Sequence, residues 1–159
     1  YFDLRYYQKA KSVPEPPFTP PVSLLVALAQ ALTMIAEETL ETRVQCCRAL
    51  AQYAREGVTE RLGCSLFSKN PANVLTAFWA PSQAKTMGQT TTSILKELRD
   101  SYKITIADGQ GDLKGKIFRI AHMGAITKQE VGAGLTALTE VCQKHGIALN
   151  QPLNVHRTV

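Results

Sequence analysis

From Val22 to Glu56 the chain has no Gly or Pro, and Leu25, Leu28, Leu32, Ile35, Thr39 and Val44, then Cys47, Leu50 and Ala54, recur at helical spacing. Thr19-Pro20-Pro21 reads as the start of that helix, with the threonine placed to cap free amides and proline suited to the first turn. Gly57 reads as its stop. A single helix over these 35 residues would be about 50 Å long. That exceeds what the core of a small domain needs, so the pattern predicts a connector between two bodies. Ahead of it, Tyr1 to Thr19 reads as irregular, rich in aromatics (Tyr1, Phe2, Tyr6, Tyr7, Phe18) and broken by Pro14, Pro16 and Pro17. So aromatic a segment needs something to pack against.

Beyond Gly57 the elements shorten and the period changes. Cys64 to Phe67 and Val74 to Trp79 read as strands around a Ser68-Lys69-Asn70-Pro71 turn, with Phe78 and Trp79 expected in the core. Thr91 to Tyr102 reads as a helix with Ile94, Leu95 and Leu98 on one face, followed by a strand at Ile104 to Ala107. The turn Asp108-Gly109-Gln110-Gly111 leads to the strand that bears Arg119. Thr127-Lys128-Gln129-Glu130 is a capping-box pattern opening a helix with the stripe Val131, Leu135, Leu138 and Val141, which Gly146 should end. Strands and helices in this order predict an α+β fold rather than a doubly wound parallel sheet. The tail from Ile147 to Val159 carries no signal, and the chain shows no internal repeat.

Length and composition narrow the class. At 159 residues, 45% hydrophobic and 19% charged, the chain can bury a core as one domain, or as one small domain with part of another attached. The charge of +5 comes from scattered residues rather than a basic run interleaved with aromatics, which argues against a nucleic-acid surface. The longest uncharged run, Phe18 to Ala36, contains prolines and polar residues and is followed at once by Glu37 and Glu38, so it reads as a poor membrane span.

One charge stands out. Arg119 sits in the middle of Gly115-Lys116-Ile117-Phe118-Arg119-Ile120-Ala121-His122-Met123-Gly124, an otherwise apolar strand. Desolvating an unpaired guanidinium is costly, so Arg119 requires an anion, which is either an internal carboxylate or a ligand's carboxylate or phosphate. Other candidates weigh less. Cys46, Cys47, Cys64 and Cys142 have no metal-ligand spacing and read as reduced, mostly buried thiols of an intracellular protein. His122, His145 and His156 are dispersed and assemble no triad. Glu37 and Glu38 read as a solvated helix edge. Gly109-x-Gly111 with Lys114 and Lys116 resembles a phosphate cradle but precedes a strand rather than a helix, so a tight turn is the better reading.

Phe18-Thr19-Pro20-Pro21-Val22, the acidic Glu37-Glu38, Ala107-Asp108-Gly109-Gln110-Gly111 and the Arg119 strand together closely resemble the class V aminotransferases. Within these, the alanine–glyoxylate and serine–pyruvate branch is the most similar, some of whose microbial members are named as a soluble hydrogenase subunit. The resemblance covers Tyr1 to about Gly146. It implies the C-terminal part of a fold type I, pyridoxal 5′-phosphate-dependent transaminase: residues 1–21 ending the large cofactor domain, 22–56 a long connector helix, and 57–159 a small domain with an antiparallel sheet and helices on one face. The Schiff-base lysine and the aspartate partnering the pyridine nitrogen are then expected upstream, in a large domain outside this chain, so no catalytic residue is expected here and the fragment alone should be inactive. Arg119 is implied to bind the substrate α-carboxylate, and Thr19 the cofactor phosphate in the neighbouring subunit of a homodimer. The family often carries a tyrosine three residues before that threonine, where this chain has Pro16. The implied substrates are small amino acids such as alanine or serine and 2-oxo acids such as glyoxylate or pyruvate. No metal, nucleic acid or membrane is implied, and the expected location is cytoplasmic. A non-catalytic subunit, or a small-molecule-binding α+β module derived from the fold, is the other reading.

Overall fold

The computed structural model describes residues 2–13, 15–86 and 88–149. The chain forms two compact units, residues 1–43 and 44–159. In the first, the segment expected to be irregular contains a short helix, α1 (Leu4–Ala10), because Asp3 caps it by accepting from the Arg5 amide at 3.0 Å. Tyr6 and Tyr7 rest against Phe18, with ring centroids 5.7 and 6.1 Å apart. Helix α2 (Val22–Glu38) follows, with Pro21 at its N-cap and no side-chain cap, so Thr19 does not play the capping part read from the sequence. No residue of α2 is buried, and Leu24, Leu28, Leu32 and Met34 are each more than half exposed.

The single helix expected from Val22 to Glu56 is two helices. The break falls at Thr39, whose backbone turns to φ 76° and ψ 141°, outside the helical region. Its hydroxyl accepts from the Thr42 amide at 3.2 Å, so Thr39 caps the next helix, α3 (Leu40–Glu56), rather than continuing the last one. Glu38 and Arg43 pair across the break at 2.9 Å.

In the second unit α3 does not stop at Gly57. It passes directly into a π-helical turn, Gly57–Arg61, and Ala54, Val58 and Leu62 all enter the core. Glycine at 57 is favoured by closeness and not by conformation, since a Cβ would lie 2.5 Å from a Leu135 methyl, which would have to move aside. Strand β1 (Leu75–Trp79), helix α4 (Ser82–Thr86), helix α5 (Thr91–Tyr102), strand β2 (Ala107–Asp108), a 3-10 turn (Gly111–Leu113), strand β3 (Ile117–Ala121) and helix α6 (Lys128–Lys144) complete the described elements. The sheet is antiparallel, in the order β1-β3-β2. The expected strand at Cys64 to Phe67 reduces to one bridge, Leu66 to Phe78, and the strand at Ile104 to Ala107 shifts to Ala107–Asp108.

Paired positions in the register decide which side chains share a face. Phe78 opposite Phe118 and Thr76 opposite Ile120 are buried beneath α5 and α6, where Ile94, Leu95, Leu98, Val131, Leu135, Leu138 and Val141 close one core. Ala77 opposite Arg119 and Trp79 opposite Ile117 face the other way, so Trp79 is 39% exposed and stacks on Phe67 instead of entering the core. Helices α5 and α6 begin as predicted. Thr90 and Ser93 cap α5 reciprocally, and Thr127 and Glu130 do the same for α6. Glu97 ties the two together, accepting from Lys144 Nζ at 2.5 Å and His145 Nε2 at 2.6 Å.

Candidate functional site

Arg119 occupies the middle of β3, flanked in register by two small residues, Ala77 on β1 and Ala107 on β2. It is half-buried and lines a pocket of about 270 Å³ whose walls include Ile104, Ile120, Ile126 and Val131, with Glu130 also on its lining. Its Nε donates to the main-chain carbonyl of Asp108 at 2.7 Å. None of the ion pairs among the described residues involves Arg119, and its Nη groups have no hydrogen bond there. Glu130, the carboxylate of the same pocket, is committed to Thr127, accepting from its amide at 2.7 Å and its hydroxyl at 2.8 Å. Of the two anions left open by the sequence, the described structure supplies no internal carboxylate.

Asp108 is the residue that sequence reasoning passed over as part of a turn. Its Oδ1 accepts from Thr91 Oγ1 at 2.6 Å, from the Gly109 amide at 2.7 Å and from the Gly115 amide at 3.1 Å, and its Oδ2 accepts from Thr92 Oγ1 at 2.6 Å. The supposed phosphate cradle around Gly109 therefore already holds an anion, the carboxylate of the chain itself. Burial works to raise the Asp108 pKa, but the hydrogen bonds from Thr91, Thr92, Gly115 and Gly109 outweigh it and hold the group below its ordinary 3.8.

His122 follows β3 and is fully buried. Its Nδ1 lies 3.4 Å from the Asn73 carbonyl, which makes that nitrogen the donor, and Nε2 has no hydrogen-bond partner among the described residues. Nearby, Arg55 Nη2 gathers the Pro71 carbonyl at 3.1 Å, the Ala72 carbonyl at 2.9 Å and Asn73 Oδ1 at 3.2 Å, clamping the loop before β1. Burial lowers the His122 pKa below its ordinary 6.5; the Asn73 bond opposes this and the Arg55 charge adds to it. Both His122 and Asp108 thus titrate lower in the fold than in the unfolded chain. Stability should be fully present above pH 6.5, fall as His122 is driven to protonate below that value, and fall again below 3.8 as Asp108 does. Urea unfolding between pH 3 and 8 checks this, and a His122→Gln variant should lose the first of the two declines.

The remaining candidates separate plainly. Thr19 lies in the first unit, exposed, with no hydrogen bond among the described residues. All four cysteines are free thiols; Cys64 and Cys142 are buried, and burial pushes both to about 12, so they are inert, while Cys46 and Cys47 are half-buried. Among the described residues no group of His, Cys, Asp and Glu could hold a metal ion. His156 lies outside the described residues. Lys103, two residues after Ser101, follows α5 as its C-cap in the left-handed conformation, exposed, with Nζ donating to the Asp100 carbonyl at 2.9 Å. No single helix among the described residues is long and apolar enough to cross a membrane.

No family model matches the chain. Individual proteins do. It is 35% identical over 155 residues to an uncharacterized aminotransferase of Methanocaldococcus jannaschii, a match that spans 95% of this chain and 38% of that protein. It is 33% identical over 146 residues to the soluble hydrogenase small subunit of a Synechococcus species, spanning 92% of this chain and 37% of the relative. Among solved structures, the ureidoglycine–glyoxylate aminotransferase of Bacillus subtilis superposes with a TM-score of 0.80 at 29% identity, over 94% of this chain and 38% of the other. The chain therefore spans little more than a third of the length of each of these three proteins.

Proposed function

We propose, from the premise that this chain belongs to the class V aminotransferases and corresponds to their C-terminal part, that it supplies the carboxylate-binding arm of a pyridoxal-phosphate transaminase. The observation that carries the proposal is Arg119, half-buried in a pocket and paired with no carboxylate among the described residues. Amino acids and 2-oxo acids differ in their side chains and share the carboxylate. A planar, permanently charged fork therefore orients every such substrate without choosing among side chains.

Pyridoxal 5′-phosphate supplies the electron sink through which the amino group is exchanged. This chain fits a partial role toward it. The exposed, unengaged hydroxyl of Thr19 suits a contact to the phosphate in a neighbouring subunit, whereas no lysine here suits the covalent attachment, since even Lys103 is held locally at the surface. The attachment lysine and the partner of the pyridine nitrogen belong to a large domain in the full-length protein. The apolar, unburied α2 is what that domain and the second subunit of a homodimer cover. Relatives named serine–glyoxylate and alanine–glyoxylate aminotransferase support alanine or serine as donor and glyoxylate as acceptor; pyruvate as a further acceptor and the cytoplasm as the location complete the reading.

The decisive experiment supplies the full-length protein with alanine or serine plus glyoxylate and assays glycine; no product with any small amino acid ends the proposal. The 159-residue chain by itself should retain no cofactor absorbance in the near-visible after dialysis. A retained band that disappears on replacing one lysine of this chain overturns the division of labour. The relative named as a hydrogenase subunit favours a second reading, a non-catalytic subunit of the same fold. A full-length protein that folds, takes no cofactor and transaminates nothing would select it.

A further inference from the structure

A guanidinium offers two edges to a carboxylate: side-on, through Nε and one Nη, or end-on, through both Nη groups. In this fold the choice is made before any substrate arrives. The Nε–H of Arg119 is spent on the Asp108 carbonyl at 2.7 Å, so the side-on edge lacks one of its two donors and the end-on edge keeps both. The flanking residues Ala77 and Ala107 are too small to brace the arginine from the sides. Among the described residues that carbonyl is its one hydrogen-bonded hold.

The carbonyl in turn has to be held. Asp108 ends β2, a strand of two residues whose pairs with β3 are Ala107–Arg119 and Asp108–Phe118, extended by one bond from the Gly109 amide to the Ile117 carbonyl at 3.2 Å, and so short an edge frays when left alone. Its side chain supplies what the strand lacks. The four hydrogen bonds from Thr91, Thr92, Gly109 and Gly115 tie Asp108 to the first turn of α5 and to both ends of the loop between β2 and β3. We propose that Asp108 is the positioning residue of Arg119, fixing it through the main-chain carbonyl so that the substrate carboxylate docks end-on against the two Nη groups. This rests on Arg119 being the carboxylate-binding residue.

The test compares Asp108→Ala, Asp108→Asn, Arg119→Ala and the double variant Asp108→Ala/Arg119→Ala in the full-length protein, measuring KM and kcat for an amino acid and for a 2-oxo acid. Asp108→Ala should raise both KM values about 10-fold and change kcat less than about 3-fold, because a misplaced fork weakens binding of the shared carboxylate. Asp108→Asn should rescue most of this: its amide oxygen can accept the three donors now on Oδ1, while the Thr92 hydroxyl turns to accept from the amide NH2. Because Asp108 acts through Arg119, the double variant should bind no worse than Arg119→Ala alone. Losses that multiply in the double variant overturn the proposal, as does an unchanged KM in a folded Asp108→Ala protein. Should Asp108→Ala fail to fold, Thr92→Val removes one of the four bonds and should raise the same KM values about 2-fold; no rise there also overturns it. Failure of the underlying reading is separate, because then Arg119→Ala itself leaves the KM for carboxylate substrates unchanged.

Discussion

Replacing Arg119 with alanine in the full-length protein should lower kcat/KM for every amino-acid and 2-oxo-acid substrate by about 100- to 1000-fold, or about 3–4 kcal/mol, as expected for losing a bidentate, charge-assisted pair in a half-dry pocket. Replacement with lysine keeps the charge and loses the fork, and should cost about 1–3 kcal/mol. Amines without a carboxylate should react nearly as before. Stability should change little, because among the described residues the one hydrogen bond lost is that from Nε to the Asp108 carbonyl, worth about 1 kcal/mol. A large drop in Tm with unchanged KM for the amino acid would give Arg119 a purely structural role. Kinetics and thermal unfolding on the same two variants decide the matter.

The second large effect belongs to Gly109. An alanine Cβ there would lie 2.0 Å from the Leu113 carbonyl oxygen and 2.4 Å from its carbon, both backbone atoms that cannot rotate away. The loop between β2 and β3 would have to open, breaking the Gly109 amide's bonds to Ile117 O and Asp108 Oδ1. We expect Gly109→Ala to destabilise the protein by more than about 3 kcal/mol, the range of severe backbone and packing defects. Gly111 provides the contrast: it has a φ of 53° but open space around it. Alanine there should cost only about 1 kcal/mol. Urea midpoints for the two variants would settle the ranking, and equal midpoints would mean the loop is looser than its geometry implies.

Much of the second unit was legible in the sequence because its signals are local. The reciprocal caps at Thr127 and Glu130, the stripe from Val131 to Val141 and the bounds of α5 follow from residues within one or two turns of each other. Arg119 was legible for a different reason, as a charge that no amphipathic pattern accounts for. What escaped depends on distant partners or on competing local signals. Gly57 reads as a helix stop, yet Leu135 on α6 is what favours the missing side chain. Thr39 breaks a flawless helical pattern because a threonine that can cap the following turn competes with one that continues the preceding one. Asp108 reads as an ordinary turn residue, and nothing in Asp108-Gly109-Gln110-Gly111 says that Thr91 and Thr92 will reach it from another element. The strand expected at Ile104 to Ala107 moved because Ala107 and Asp108 are the positions that meet β3.

The contact between Gly57 and Leu135 has a consequence for the lineage as a whole. The atom crowding the vacant Cβ position is the tip of a flexible leucine and not a main-chain atom, so the space can be traded rather than only lost. A larger residue at 57 becomes admissible when 135 shrinks, and the two positions should drift together as sequences diverge. An alignment of many homologues should therefore pair glycine at 57 with leucine or another long side chain at 135, and alanine or serine at 57 with valine or alanine there. Independent variation at the two sites would mean that α6 shifts along its axis to absorb the extra methyl.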